Sequence, residues 1–599
     1  MANERKTENI VRDALRKLGY YDNAHCIIEE QSSENTQVAK FLQNASKKGT
    51  GIGKPEFIIR SKENPSFIII IECKASVEKH ESKNKDKYAD YAVDGALLYA
   101  SFLSKGYDVL AIGVSGQSSK ELKVSHFLLI KGSDAPAKIF DNKILSYQDY
   151  HAGYVNSDLK FNEDYKALLA YSKKLNDLLH KNKVKESQRS LLISGILISL
   201  GNNAFRKGYK GHRTAKDIAN ALVETVASEL SSSDIPIDKV STIKHAYSFI
   251  TNHTTLSKDK EFFIQLIEDV DQHLNTFMRT HKYFDTLGQF YIEFLRYANS
   301  DKGLGIVLTP PHITELFADI AEVGPDSVVL DNCCGTGGFL ISAMQKMVKL
   351  AKGDTIKEKK IKTTQLVGIE YQDDIYALAV SNMVIHGDGK SNVIQGSCFE
   401  LANDVKDKFN PNVALLNPPY KDDIKELEFV LNALETLEIG GKCAVILPMS
   451  CALAQKGPNL ELKKKLFAKH TLEAVMSMPD ELFHNSEVGV VTCVMVFTAH
   501  KPHPSTKKTW FGYWKDDGFV KVKNKGRIDR DFVWEDKKQQ WLNAFHNRED
   551  VAGESVKHAI SADDEWCAEA YMETDYSSIT EAEFLNAVKN YSIFKVLNS

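Results

Sequence analysis

Ser327-Val328-Val329-Leu330-Asp331-Asn332-Cys333-Cys334-Gly335-Thr336-Gly337-Gly338-Phe339-Leu340 reads as a short apolar strand, a glycine-rich turn and the start of a helix. Gly335, Gly337 and Gly338 let the backbone come close to a ligand, as in nucleotide-binding α/β folds. No Lys-Ser or Lys-Thr pair follows the glycines, which disfavours a phosphate-gripping loop. Asp331 either anchors the turn or shapes the ligand site. Downstream, Gln365-Leu366-Val367-Gly368-Ile369-Glu370 is a second strand ending in a carboxylate, suited to both hydroxyls of a ribose. A third apolar run, Val413-Ala414-Leu415-Leu416, leads into Asn417-Pro418-Pro419-Tyr420. The amino nitrogen of adenine is a poor nucleophile because its lone pair is delocalised into the ring. The Asn417 side-chain carbonyl and the Pro418 backbone carbonyl can accept its two N–H bonds and hold it toward tetrahedral geometry. Pro418 and Pro419 fix the backbone so that these acceptors are aimed in advance. Tyr420 offers a flat face to a base swung out of a duplex. An Asn-Pro turn after a strand is the plain alternative.

The three segments, in this order, resemble the adenine-specific DNA methyltransferases of type I and related restriction–modification systems, from about Gly303 to Ala499. The resemblance implies a Rossmann-like domain that uses S-adenosylmethionine. Leu308-Thr309-Pro310-Pro311-His312-Ile313 is similar to the segment whose threonine caps the methionine end of that cofactor, although Thr-Pro-Pro is also a natural helix start. The glycine turn, with Asp331, Gly335 and Gly337, stands where the family has its cofactor loop, and Glu370 where it has the ribose ligand. Gly440 to Pro448 is similar to a later strand, and Met478-Pro479 through Phe483 with Thr492 to the final hairpin. Where the family usually carries Gly-Asp beside the cofactor's adenine, this chain has Gly396-Ser397-Cys398-Phe399. Ser397 can still hydrogen-bond, without the carboxylate. Cys333 and Cys334 have no metal-ligand spacing and read as packing residues.

A separate signal lies in the first 150 residues. Glu56-Phe57-Ile58-Ile59-Arg60 and Phe67-Ile68-Ile69-Ile70-Ile71-Glu72-Cys73-Lys74 read as two apolar strands joined by a polar turn, with Glu56 and Glu72 at adjacent strand ends. Glu72 and Lys74 are two apart and share a face. Two carboxylates can hold Mg²⁺, and the lysine can orient or deprotonate the attacking water beside a scissile phosphate. This resembles the PD-(D/E)xK nuclease core, with Pro55-Glu56 in place of Pro-Asp. In related nucleases a glutamate of the first helix can join the metal, which makes Glu8, on an amphipathic stretch from Glu8 to Leu18, a further metal candidate. Some relatives place a glutamine where Gly95 stands, in a second helix from Asp90 to Leu103. The bland reading of Glu-x-Lys is a solvated strand end.

At 599 residues the chain is too long for one core, and its net charge of −4 gives no global basic signature, so contact with double-stranded DNA must rest on local patches. Lys79, Lys83, Lys85 and Lys87 form one such run. Nine cysteines without paired spacing suit a reducing cytoplasm, and no apolar leader or 18-residue apolar run points to a membrane. The expected architecture is α/β and multidomain. Residues 1–155 form the PD-(D/E)xK-like domain and 156–300 a helical connector, with Leu168, Tyr171, Leu175 and Leu178 on one face. Residues 301–500 form the methyltransferase, and 501–599 a small α+β extension, helical from Asp563 through Phe594. That extension looks too short to read a DNA site, which favours a separate specificity subunit docking on it or on the connector. The whole chain then resembles the BcgI-like type IIB restriction–modification subunits. That resemblance implies adenine methylation, Mg²⁺-dependent cleavage of unmethylated DNA, and assemblies holding more than one copy of the chain. The alternative is a methyltransferase whose N-terminal domain only clamps DNA. No helicase motif is present.

Overall fold

A computed structural model describes residues 4–597 apart from 48–50, 119, 133–135, 141, 156, 233–236, 282–285, 289–307, 388–391, 421–423, 485–488, 523–525, 531–532 and 578. The chain separates into two compact units, Met1–Ala167 and Leu168–Ser599. The division falls inside one helix, Asp158–Lys181.

The first unit is built on six strands: β1 (Cys26–Glu29), β2 (Phe57–Ser61), β3 (Phe67–Lys74), β4 (Asp108–Ser115), β5 (Lys123–Leu129) and β6 (Ala137–Lys138), paired in that order. Only β3 and β4 run parallel. The runs Phe57–Ile59 and Phe67–Ile71 are apolar without alternation because both faces of the sheet are covered. Ile59, Ile69 and Ile71 pack with Val11 and Leu15 of the helix Glu4–Lys17. Ile58, Ile68 and Ile70 pack with Val38, Val93 and Ala96 from the helices Thr36–Leu42 and Ala92–Leu103. The register Phe57↔Ile71 brings Glu56, just outside β2, level with Glu72.

The second unit holds a nine-stranded sheet. Its strands are β7 (Val329–Asp331), β8 (Leu366–Glu370), β9 (Asn392–Gln395), β10 (Val413–Leu416), β11 (Lys442–Pro448), β12 (Thr471–Ser477), β13 (Thr492–Thr498), β14 (Lys508–Tyr513) and, after a small hairpin of β15 (Val520–Val522) with β16 (Gly526–Ile528), β17 (Ser555–Ala559). The order is β17-β14-β12-β13-β11-β10-β7-β8-β9. Strands β7 to β11 are parallel to one another, and β13 enters antiparallel between β11 and β12. The chain therefore winds outward from β7 in both directions, and the crevice at the carboxyl ends of β7, β8 and β10 is the ligand position of such sheets.

Most described residues from Leu168 to Thr280 are helical, as the periodicity predicts, with Leu168, Tyr171 and Leu175 buried and Leu178 only half-buried. Residues 289–300 of the connector and 303–307 of the methyltransferase-like stretch lie outside the described residues, as does Phe532. This helical segment packs directly on the sheet domain: the Tyr247 hydroxyl is 2.6 Å from Ser194 Oγ and 2.7 Å from Ser381 Oγ, in the helix after β8. The terminal helix departs from expectation. It spans Glu581–Leu597, not Asp563 onward. Ser561 caps a turn on Asp564, and the indole N–H of fully buried Trp566 donates to Ser561 O at 2.9 Å, which fixes this stretch as an irregular plug. No described helix is long and apolar enough to cross a membrane.

Candidate active sites

The crevice holds a cavity of about 530 Å³ lined by Thr309, Asp331, Gly335, Glu370, Ser397 and Asn417, among others. Gly335 and Gly337 have φ of +52° and +85°, a backbone region that glycine enters without strain, and Gly337 shapes the turn without lining the cavity. Glu370 accepts from Gly335 N (3.0 Å) through Oε2 and from Gln372 N (2.8 Å) through Oε1. Burial pushes the Asp331 carboxyl up to about 8, assisted by Glu370 and opposed by the Cys333 N–H it accepts at 3.2 Å. Ser397 stands at the N-terminus of the helix Cys398–Phe409, makes no capping bond, and lines the cavity.

Asn417 ends β10 and its Nδ2 donates to Thr309 Oγ1 at 3.0 Å, which orients the amide with Oδ1 at the opposite end. Asn417 and Pro419 line the cavity, Pro418 is buried behind them, and the Tyr420 ring meets Phe483 edge-on at 6.2 Å. Residues beyond β14 grip both sides of this corner. His312, three residues after Thr309, stacks on Phe519 at 3.9 Å, and its Nε2 is 3.3 Å from the Oδ2 of fully buried Asp517, which Arg527 also holds. Burial would raise the Asp517 carboxyl, yet His312 and Arg527 hold it down at about 2. On the other side Lys515 pairs with Asp480 (2.7 Å) and Lys521 with Glu481, in the turn that carries Phe483.

In the first unit, Glu72 is fully buried and Glu56 mostly so. Burial above all, and then the facing Glu56 carboxyl, raise the Glu72 carboxyl well above the usual range. Lys74 Nζ lies 3.5 Å from Glu72 Oε1 and 3.0 Å from Glu4 Oε1. Burial opposes its charge, but Glu72 and Glu4 carry its ammonium above the ordinary lysine value. Thr7 donates to Lys74 O (3.3 Å) and Gly116 O (2.8 Å), docking the first helix beside this strand end. Glu8, on that helix, is raised by partial burial and by the charge of Glu56. Among the described residues no group of three or more His, Cys, Asp or Glu side chains is placed to hold a metal, so Glu8 does not close a three-acid cage with Glu56 and Glu72. Gly95 abuts the pair, since a Cβ there would lie 3.1 Å from Glu72 Cγ.

A sequence profile of the N-6 DNA methylase family matches residues 282–594. The type II restriction enzyme and methyltransferase RM.BcgI of Heyndrickxia coagulans is 31% identical over 635 residues, spanning 99% of this chain and 97% of that protein. The chain belongs to the N-6 DNA methylase family. The type I EcoEI methylase subunit of Escherichia coli is 25% identical over 299 residues, covering 44% of this chain and 54% of its own length. A solved DrdV–DNA complex aligns at 13% identity with a TM-score of 0.48, covering 94% of this chain and 58% of that one.

This methylase uses S-adenosylmethionine to methylate N6 of adenine in DNA, as a member of a restriction–modification system. Its cavity suits that cofactor: a glycine turn, a strand-end carboxylate and an aromatic rim line it. Glu370→Ala is expected to weaken S-adenosylmethionine binding roughly 10- to 100-fold by calorimetry, the worth of hydrogen bonds to a charged group. The rim residues Tyr371, Phe399 and Phe429 were not anticipated from the sequence as site residues. Tyr371 directly follows Glu370 and Phe399 lies two after Ser397, so offset from known positions was the available signal. Lys47 and Glu4 were missed as well, because no motif surrounds either.

Proposed function

We propose that this chain is a bifunctional restriction–modification subunit. It methylates adenine in a specific DNA site, cleaves unmethylated DNA with Mg²⁺, and takes its sequence recognition from a separate specificity subunit. The observation that carries the nuclease half is the buried Glu56–Glu72 pair with Lys74 beside it, at the ends of strands paired in register. The combined name of the Heyndrickxia relative supports the same reading. The subunit reading is supported by type I relatives named as methylase subunits. It is supported too by the helix Glu581–Leu597, which buries none of its residues and exposes Phe584, Leu585, Val588 and Tyr591. Residues 1–155, 156–300, 301–500 and 501–599 would serve as nuclease, connector, methyltransferase and docking extension.

In the methyl-transfer branch the cofactor supplies an electrophilic methyl group. Asn417 Oδ1 and Pro418 O accept the two N–H bonds of the target amino group, and Tyr420 stacks on the flipped base. Thr309, Asp331, Gly335, Glu370 and Ser397 would hold the cofactor, with Gly337 setting the turn that carries Gly335 and with Tyr371 and Phe399 on the rim. In the cleavage branch Mg²⁺ supplies charge at the scissile phosphate. Glu56 and Glu72 would fit it as two facing, largely buried carboxylates at adjacent strand ends, a pair that a cation relieves. Glu8 would add a further carboxyl group near Glu56, and Lys74, held charged by its acids, would orient water. Incubating the chain with unmethylated plasmid, Mg²⁺ and S-adenosylmethionine, with and without a candidate specificity partner, tests the whole. Discrete fragments only with the partner support it. Methyl incorporation without cutting under any condition leaves the methyltransferase alone, with a DNA-clamping N-terminal unit.

A further inference from the structure

Lys47 occupies the acid pair from outside every recognisable motif. It sits between the helix Thr36–Leu42 and β2, where hydrogen bonds tie together described residues on either side of 48–50. Ser46 N donates to Gly51 O (3.1 Å) and Gly53 N to Leu42 O (2.7 Å). A Cβ at Gly53 would fall 2.8 Å from Ala45 and 2.9 Å from Tyr99, so the loop is pressed against the helix Ala92–Leu103. This packing delivers the Lys47 ammonium into contact with Glu72 Oε1, 3.9 Å from Glu56 Oε1 and 5.5 Å from the centre of the Tyr99 ring. The Lys47 side chain is 18% exposed and that of Glu72 is 0% exposed.

Two buried carboxylates facing one another repel, and only a proton or a cation relieves them. Lys74 shares its charge with Glu4 at 3.0 Å and stands farther from Glu72, at 3.5 Å. Lys47 is the ammonium in contact with Glu72 and turned toward Glu56. A divalent ion held by both carboxylates would compete for the place that the Lys47 ammonium takes beside Glu72 Oε1 and Glu56 Oε1.

We infer that Lys47 is a built-in counter-cation for the Glu56–Glu72 pair, holding the two acids together when no divalent metal is bound and yielding its place when one enters. The inference rests on reading this pair as the Mg²⁺ site. It makes metal affinity the outcome of a competition with a tethered ammonium. Removing that competitor should tighten metal binding, opposite to the effect expected of a residue that helps build the site.

The test is Mn²⁺ binding to the full-length chain without DNA, followed by the electron paramagnetic resonance of the free ion. Lys47→Met should bind Mn²⁺ about tenfold more tightly than the wild type, the scale of one competing charge in a partly buried site. Lys47→Arg should stay near the wild type, and Glu72→Gln should lose the ion. In EDTA, Lys47→Met should melt below the wild type, and saturating Mn²⁺ should erase the deficit. Unchanged or weaker Mn²⁺ binding in Lys47→Met, with Glu72→Gln still losing the ion, overturns the counter-cation role and leaves the metal site standing. Mn²⁺ binding indifferent to Glu72→Gln removes the metal site itself, and the inference with it.

Discussion

Asn417→Ala is expected to lower the rate of adenine methylation about 10³-fold, the upper cost of losing one aimed hydrogen-bonding group at a reacting centre. The amide is held by its Nδ2 on Thr309 at the end of β10, so Oδ1 keeps one direction. Its contribution grows as the amino nitrogen moves from planar toward tetrahedral, and such an interaction acts on kcat more than on binding. S-adenosylmethionine affinity should therefore change far less than turnover. Single-turnover transfer of a labelled methyl group to site-bearing DNA, beside calorimetry of the cofactor, separates the two. Turnover within threefold of the wild type would mean that Asn417 is no acceptor for the base.

Lys74→Ala is expected to abolish detectable cleavage, a loss of roughly 10³-fold or more by the usual worth of a positioned proton-handling group. Two apart on β3, Lys74 and Glu72 share one face, and Lys74 links Glu72 to Glu4 on the first helix. Its loss leaves the acid pair with Lys47 as its remaining close cation among the described residues. Methylation should be unaffected, because the cofactor cavity is lined wholly by residues of the other compact unit. Plasmid cutting and methyl transfer measured on one preparation therefore distinguish a catalytic loss from misfolding. Cutting at the wild-type rate would reduce Glu56, Glu72 and Lys74 to a structural ion network.

The parts legible in the sequence are those where local pattern and function coincide. The three strand ends carrying Asp331, Glu370 and Asn417 could be read because each follows an apolar run, and the sheet brings all three to one cavity. The hairpin of β2 and β3 could be read because its polar turn is short and its register follows from it. Lys47 could not be found this way, since it reaches Glu72 from 25 positions upstream through a loop without periodicity. The clamp of His312 on Asp517 spans 205 positions and depends on a fold already formed. Cys398 and Phe399 were read, but the rim role of Phe399 appears only when β9 delivers it to the cavity. The expected last helix failed at its start because a buried tryptophan outweighs helix propensity there.

The nine-stranded sheet sets limits on how this enzyme could be given a new target. Strands β14 and β17, both past residue 500, extend the methyltransferase sheet beyond β12, and β14 is an interior strand bonded on both sides. A chimera joined near residue 500 would strip β12 of its partner and leave an open, apolar edge prone to pairing with other chains. The same cut would discard Asp517 and Arg527, which hold the segment leading from Thr309. An exchange of the proposed docking helix Glu581–Leu597 should therefore begin after the sheet is complete, between about Glu573 and Thr580.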